Sequence, residues 1–141
     1  MVLGAYYGFK DLLNTGLISR IPKIIAVQAT NCAPIYKAFT KGKDYIEPVE
    51  NKGTLAEGIA IADPKRGWQI IKALREVNGE IITASEEDIP KTKQLLAKKG
   101  FYVEPTTAAT FVALFDYIKK NDITKNGKVI IPLCGSGLKS K

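Results

Sequence analysis

A chain of 141 residues that is 45% hydrophobic and 25% charged has the balance of a folded globular domain, which excludes a disordered segment, and it has no apolar run of about 18 residues that could span a membrane. It contains no histidine and only two cysteines, Cys32 and Cys134, which removes imidazole-based triads, zinc sites and a disulfide framework and leaves chemistry to lysines, acids, hydroxyls, thiols or a cofactor. The net charge of +7 is carried by 18 lysines against 3 arginines dispersed along the chain, the pattern of a solvated lysine-rich surface rather than of a nucleic-acid face.

Met1 to Gly8 lead into Lys10-Asp11 without the basic-then-apolar layout of a signal peptide, so a cytoplasmic protein is expected. Leu3 to Leu13 predict a helix closed by Asn14-Thr15-Gly16, since Asn and Gly accept the left-handed conformation at a helix end. Lys23 to Ala29 follow a proline as a nearly continuous apolar run, which suits a strand buried on both faces of a parallel sheet. Cys32 to Phe39 predict a short helix, and Thr40 to Gly53 a surface loop.

Thr54 to Ala62 are small, apolar and interrupted by Gly58. Asp63-Pro64 is then expected to open a helix, with Asp63 as its cap and Trp68, Ile71, Leu74 and Val77 as its buried stripe. Gly79 to Ala84 predict a second strand. Ser85-Glu86-Glu87-Asp88 place a capping hydroxyl and three acids before the next helix, which runs to Lys98-Lys99-Gly100. Thr106 or Thr107 is expected to cap a further helix with Ala109, Val112, Ala113, Phe115 and Ile118 mostly inward, and Lys128 to Leu133 predict a last strand ending in Cys134-Gly135-Ser136-Gly137. Strands alternating with helices imply parallel crossovers, hence a single α/β domain built as a three-layer sandwich around a mostly parallel sheet, with ligands at the carboxyl ends of the strands.

Three segments spaced through this pattern carry a resemblance: Thr54-Leu55-Ala56-Glu57-Gly58-Ile59-Ala60, Glu104-Pro105-Thr106-Thr107-Ala108-Ala109 and Leu133-Cys134-Gly135-Ser136-Gly137-Leu138-Lys139. Together, and in this order, they resemble the carboxyl-terminal part of the threonine synthase and threonine dehydratase group, the pyridoxal-phosphate enzymes of fold type II. Ile21 to Ala29, Cys32-Ala33-Pro34 and Gly8-Phe9-Lys10 fall in the order and spacing of the same group. The resemblance implies a chain shaped like the carboxyl-terminal part of the large domain of those enzymes. It also implies a cofactor site lined here by Ala56, Glu57, Gly58, Glu104, Cys134 and Gly135, and a small amino-acid substrate.

By that resemblance, Ala56 to Gly58 run beside the cofactor ring, where a residue without Cβ admits close approach of the main chain; a bulge or tight bend explains Gly58 equally well. Glu104 heads a helix near the ring, or is an acid outside an ordinary capped helix. Cys134 stands where threonine synthases have a threonine that hydrogen-bonds the pyridine nitrogen, a departure shared with related serine dehydratases; its plain alternative is a small buried hydrophobe at a strand end. A neutral partner leaves that nitrogen largely unprotonated and favours elimination or replacement over transamination.

The family's Schiff-base lysine, in a segment like Ser-Phe-Lys-Asp, and its Gly-Asn-rich phosphate loop have no counterpart in these 141 residues. The lysine is both tether and general base, and the loop supplies the backbone N–H groups that stabilise a phosphate. The expectation is therefore a fragment or split subunit of a threonine synthase-like enzyme, converting O-phosphohomoserine to threonine when complete. Alone it is expected to be inactive, to contribute no catalytic residue and to bind pyridoxal phosphate weakly or not at all. An exposed apolar face is expected to drive homodimerisation or pairing with a separately encoded amino-terminal half. The alternatives are a non-catalytic α/β binding module derived from the same scaffold and a serine/threonine dehydratase-like fragment; neither nucleic acid, membrane nor metal is an expected partner.

Overall fold

The structure, a computed structural model, describes residues 1–120 and 127–139. Helix α1 (Val2–Asn14) leads to strand β1 (Ile25–Ala29) and helix α2 (Pro34–Thr40). A long irregular stretch with one 3-10 turn at Glu57–Ile59 precedes helix α3 (Gly67–Glu76), strand β2 (Glu80–Ala84), helix α4 (Asp88–Lys98) and helix α5 (Pro105–Lys120), and a second 3-10 turn covers Gly137–Lys139.

The two strands pair in parallel, from Ile25 opposite Glu80 to Ala29 opposite Ala84. Alternation of side chains across the strands separates two cores. Val27, Ala29 and Ala84 pack with Ile89 and Leu96 of α4 and with Ala108, Ala109 and Val112 of α5. Ala26 and Ile81 pack on the other face with Ile35 and Ala38 of α2 and Ile71 and Leu74 of α3. Helices thus cover both faces of the sheet, the expected three-layer α/β arrangement. Gln28, on the second face, is buried, and its Oε1 accepts the Tyr36 N–H at 2.9 Å. That bond satisfies one of the free N–H groups in the first turn of α2, which has no capping side chain of its own.

Several local expectations fail for identifiable reasons. Helix α3 starts at Gly67, and Asp63 bonds Lys65 at 2.5 Å instead of capping it. Its buried stripe is Gly67, Ile71 and Leu74, an i, i+4, i+7 set. Trp68 therefore falls on the flank shared with Lys72 and Arg75 and is 53% exposed. No side chain caps α4, although Ser85 accepts the Asp88 N–H through its carbonyl. Ile118 lies on the exposed side of the last turn of α5.

The predicted third strand is absent: Lys128 to Leu133 are irregular, with Ile130 88% exposed. An apolar run of that kind becomes a strand only beside a strand that takes its backbone hydrogen bonds, and among the described residues the region makes only the isolated bridge Val103–Ser136. Helix α1 buries only Tyr6. None of the described helices is long and apolar enough to cross a membrane.

Candidate functional site

The three segments quoted above converge on the first turn of α5. Glu104, just before that helix, donates its N–H to the Gly135 carbonyl at 3.0 Å. Thr107 Oγ1 accepts the Gly135 N–H at 3.3 Å, and Thr106 Oγ1 accepts the Gly58 N–H at 3.2 Å. The two hydroxyls expected to cap α5 are instead spent on neighbouring segments of the chain, one on each flank. A single helical turn therefore fixes both the Ala56–Gly58 segment and the Cys134–Gly135 segment.

Small side chains make this approach possible. Ala29 and Ala84, the last residues of the strands, share a cluster with Ala56, Ala108 and Ala109, and all five are fully buried. Larger residues would hold α5 and the 54–60 segment away from the strand ends. The junction lies at the carboxyl edge of the parallel pair, where α/β folds place their ligands.

Both glycines lie against side chains of the α5 entrance. A Cβ on Gly58 would sit 2.9 Å from Thr106 Oγ1, and one on Gly135 would collide with the Glu104 carboxyl group. Packing between segments by itself leaves little room for a Cβ at either position.

The six candidate residues are exposed very differently. Ala56 is fully buried, so only its main chain is available; Glu57 and Gly58 are exposed, and Glu104 and Gly135 are half-buried. Cys134 is exposed, which rules out the small buried hydrophobe. Its Sγ lies 3.7 Å from Met1 Sδ and 3.6 Å from the Pro132 carbonyl oxygen, both uncharged groups. The buried thiol is Cys32, whose pKa burial pushes up.

A second cluster escaped the sequence reading. Glu86, just past β2, accepts the Thr54 hydroxyl at 2.8 Å on one oxygen and the Asn31 N–H at 3.5 Å on the other. Thr54 Oγ1 in turn accepts the Ala56 N–H at 3.1 Å, and Asn31 Nδ2 donates to the Gly53 carbonyl at 2.7 Å. Glu86 and Asn31 thereby hold the entrance to the Ala56–Gly58 segment. Their signal was positional: each stands two residues beyond the end of a strand, where polar residues gather at functional edges.

The described donors fit part of a pyridoxal-phosphate site. An exposed neutral thiol, Cys134, is chemically suited to a pyridine nitrogen, and a main-chain segment with exposed Glu57 and Gly58 stands on the other flank of the α5 turn. The family model described as pyridoxal-phosphate dependent enzyme matches residues 1–135. The chain is 32% identical to threonine synthase of Methanocaldococcus jannaschii, over 94% of its own length and 33% of that protein's. It is 30% identical to the chloroplastic threonine synthase 2 of Arabidopsis thaliana, over 95% of its own length and 26% of that protein's. It thus spans only a quarter to a third of these relatives. Among solved structures it resembles maize serine racemase, with a TM-score of 0.60 and 19% identity over 78% of this chain and 32% of that one. Serine racemase of Dictyostelium discoideum gives 0.59 and 23%, over 82% and 35%.

Proposed function

Since this chain belongs to the pyridoxal-phosphate dependent enzyme family, we propose that it forms the carboxyl-terminal wall of the cofactor site of a threonine synthase-like enzyme that acts on O-phosphohomoserine in the cytoplasm. The observation that carries this reading is the turn at Thr106 and Thr107, which ties the Gly58 and Gly135 segments to one rigid support. Bound pyridoxal phosphate supplies an electron sink for charge developing on the amino-acid carbon.

In this reading, the residues of the chain bind and orient. Cys134 presents a neutral thiol to the pyridine nitrogen and does not protonate it. The Ala56–Gly58 main chain lines the ring, held from one side by Thr106 and from the other by Thr54 and Glu86. Glu104 braces Gly135 through its backbone and its side chain. The tethering lysine and the phosphate-binding loop come from outside these 141 residues, so the chain alone is inactive.

The apolar surface supports a partner. Met1 and Leu138 are 77% and 87% exposed, and Met1, just before α1, touches Cys134 of the 127–139 segment. Exposed apolar residues on two adjoining segments suit a surface covered by the remaining part of the enzyme or by a second copy.

An absorbance titration with pyridoxal phosphate tests the reading. The expected result is no saturable band with this chain alone, and a saturable band once an amino-terminal portion carrying the Ser-Phe-Lys-Asp and Gly-Asn-rich segments is supplied. A stoichiometric borohydride-fixed adduct at one lysine of this chain would show that it holds its own tether, and would overturn the assignment of that role to the missing portion.

A further inference from the structure

A cavity of about 370 Å³ opens between α2 and the 41–52 loop, within the size range of small-molecule sites. Four lysines line it, Lys37, Lys41, Lys43 and Lys52, and among the described lining residues the acids are Glu47 and Glu50. Glu47 is engaged by Lys43 at 2.6 Å, which leaves three further lysines and one further glutamate among the lining residues. Pro34 and Val49 supply apolar wall between them.

The walls are pinned by contacts that have no bearing on a ligand. Lys43 and Gly42 donate their N–H groups to the Ala38 and Phe39 carbonyls, at 2.9 and 3.1 Å, closing the loop onto the end of α2. Val49 donates to the Ala62 carbonyl at 3.1 Å and Lys52 to the Asn31 carbonyl at 3.2 Å. Arg75 of α3 bonds the Lys43 carbonyl at 3.0 Å and pairs with the Asp44 carboxylate. Ile46 packs so tightly on Gly67 that a Cβ there would lie 2.5 Å from it. A loop without regular structure is thus fastened at five places, and the cavity is held open before any ligand arrives.

Concentrating like charges around a concavity is unfavourable without a counter-charge, and an anion of two or more charges relieves it. Lysine serves phosphate as a compact point charge with three donors. We propose that this cavity is a binding site for a small phosphorylated molecule, its phosphate held by Lys37, Lys41 and Lys52 and its remaining polar end by Glu50. The cavity shares no lining residue with the α5 junction, so the site stands independently of the cofactor reading.

The test is a titration of the full chain with sodium phosphate and then sodium pyrophosphate at constant ionic strength, followed by amide chemical shifts. Saturable shifts confined to residues 34–52 are expected, with pyrophosphate binding about tenfold tighter than phosphate because it carries more charge. The double variant Lys41→Gln/Lys52→Gln should weaken pyrophosphate about tenfold, whereas Lys98→Gln/Lys99→Gln, on the exposed end of α4, should change nothing. Lys37→Gln, on α2, provides a second variant should the loop pair disturb the fold. Shifts spread over the whole basic surface, equal losses in the α4 control, or tighter binding of a short DNA duplex through that same surface would each overturn the proposal.

Discussion

Thr107 Oγ1 accepts the Gly135 N–H at 3.3 Å although 28 residues separate them, and Thr107 is buried. The glycine that resembles a cofactor-site residue is therefore held by the helix that resembles another. Thr107→Val keeps the shape and removes the acceptor, leaving a half-buried N–H unpaired, a loss of about 1–3 kcal/mol. Urea unfolding should show that loss for Thr107→Val and a clearly smaller one for Thr107→Ser. Equal losses would mean that packing, not the hydrogen bond, joins the segments.

Glu86 bridges Thr54 and Asn31. Glu86→Ala should speed hydrogen exchange at Ala56, whose N–H bonds the Thr54 hydroxyl that Glu86 orients, by about tenfold or more if one hydrogen bond of order 1.4 kcal/mol is lost. Glu86→Gln, which retains an acceptor, should lie nearer the parent. Unchanged exchange at Ala56 in both variants would remove Glu86 from the support of this segment.

Gly79 lies between α3 and β2, where an added Cβ would sit 2.5 Å from the Ile24 carbonyl oxygen. Backbone cannot yield as a side chain tip can, and Gly79 also donates to the Leu74 carbonyl at 2.7 Å. Gly79→Ala should cost about 1–3 kcal/mol or more, against a smaller effect for Gly58→Ala, whose neighbour is the Thr106 side chain. Denaturant midpoints of the two variants measure the order directly.

The two thiols should separate cleanly in a labelling experiment. Cys134 is exposed, whereas Cys32 is buried with its pKa raised by burial, and the thiolate is the reactive form. Near neutral pH one thiol per chain should react with a disulfide reagent quickly and the second only after denaturant is added. Simultaneous reaction of both would contradict the packing around Cys32.

Tyr6, Lys10 and Glu76 tie α1 to α3: the Tyr6 hydroxyl donates to Glu76 Oε2 at 2.5 Å, and Lys10 Nζ donates to Glu76 Oε1 at 2.9 Å and to the Tyr6 hydroxyl at 3.0 Å. The Tyr6 hydroxyl first, and Lys10 second, hold the Glu76 carboxyl below the usual carboxylate range. A depressed pKa means stability that is present above the unfolded value, about 4.3, and lost as pH falls through the folded one. Lys10 is raised, first by Tyr6 and then by Glu76. Its contribution is present below about 10.4 and is lost as pH climbs through the raised value. Glu76→Gln should flatten the acid limb of the stability profile; a limb unchanged in slope would locate the acid sensitivity elsewhere.

Much of the layout was legible in the residues. Lys23 to Ala29 and Gly79 to Ala84 contain β1 and β2, and Gly100, with φ of 88°, ends the α4 region as expected of a glycine after lysines. The Lys128–Leu133 run departs from its expected strand because apolar patterning records the capacity to form a buried strand, whereas the strand itself needs a neighbour. Asp63 does not cap α3 because a capping residue type does not determine which turn the helix starts on.

By itself the sequence determined the alternation of strands and helices and the family of the three motifs, since both are written in local order: periodicity, turn residues and short runs of particular side chains. Only the tertiary structure decided what those motifs do to one another. That Thr106 and Thr107 hold Gly58 and Gly135, that Glu86 reaches Thr54 and Asn31, and that Cys134 is open while Cys32 is buried are contacts between residues far apart in the chain. Such contacts depend on how two helical layers close over one parallel pair, and no local pattern encodes that closure.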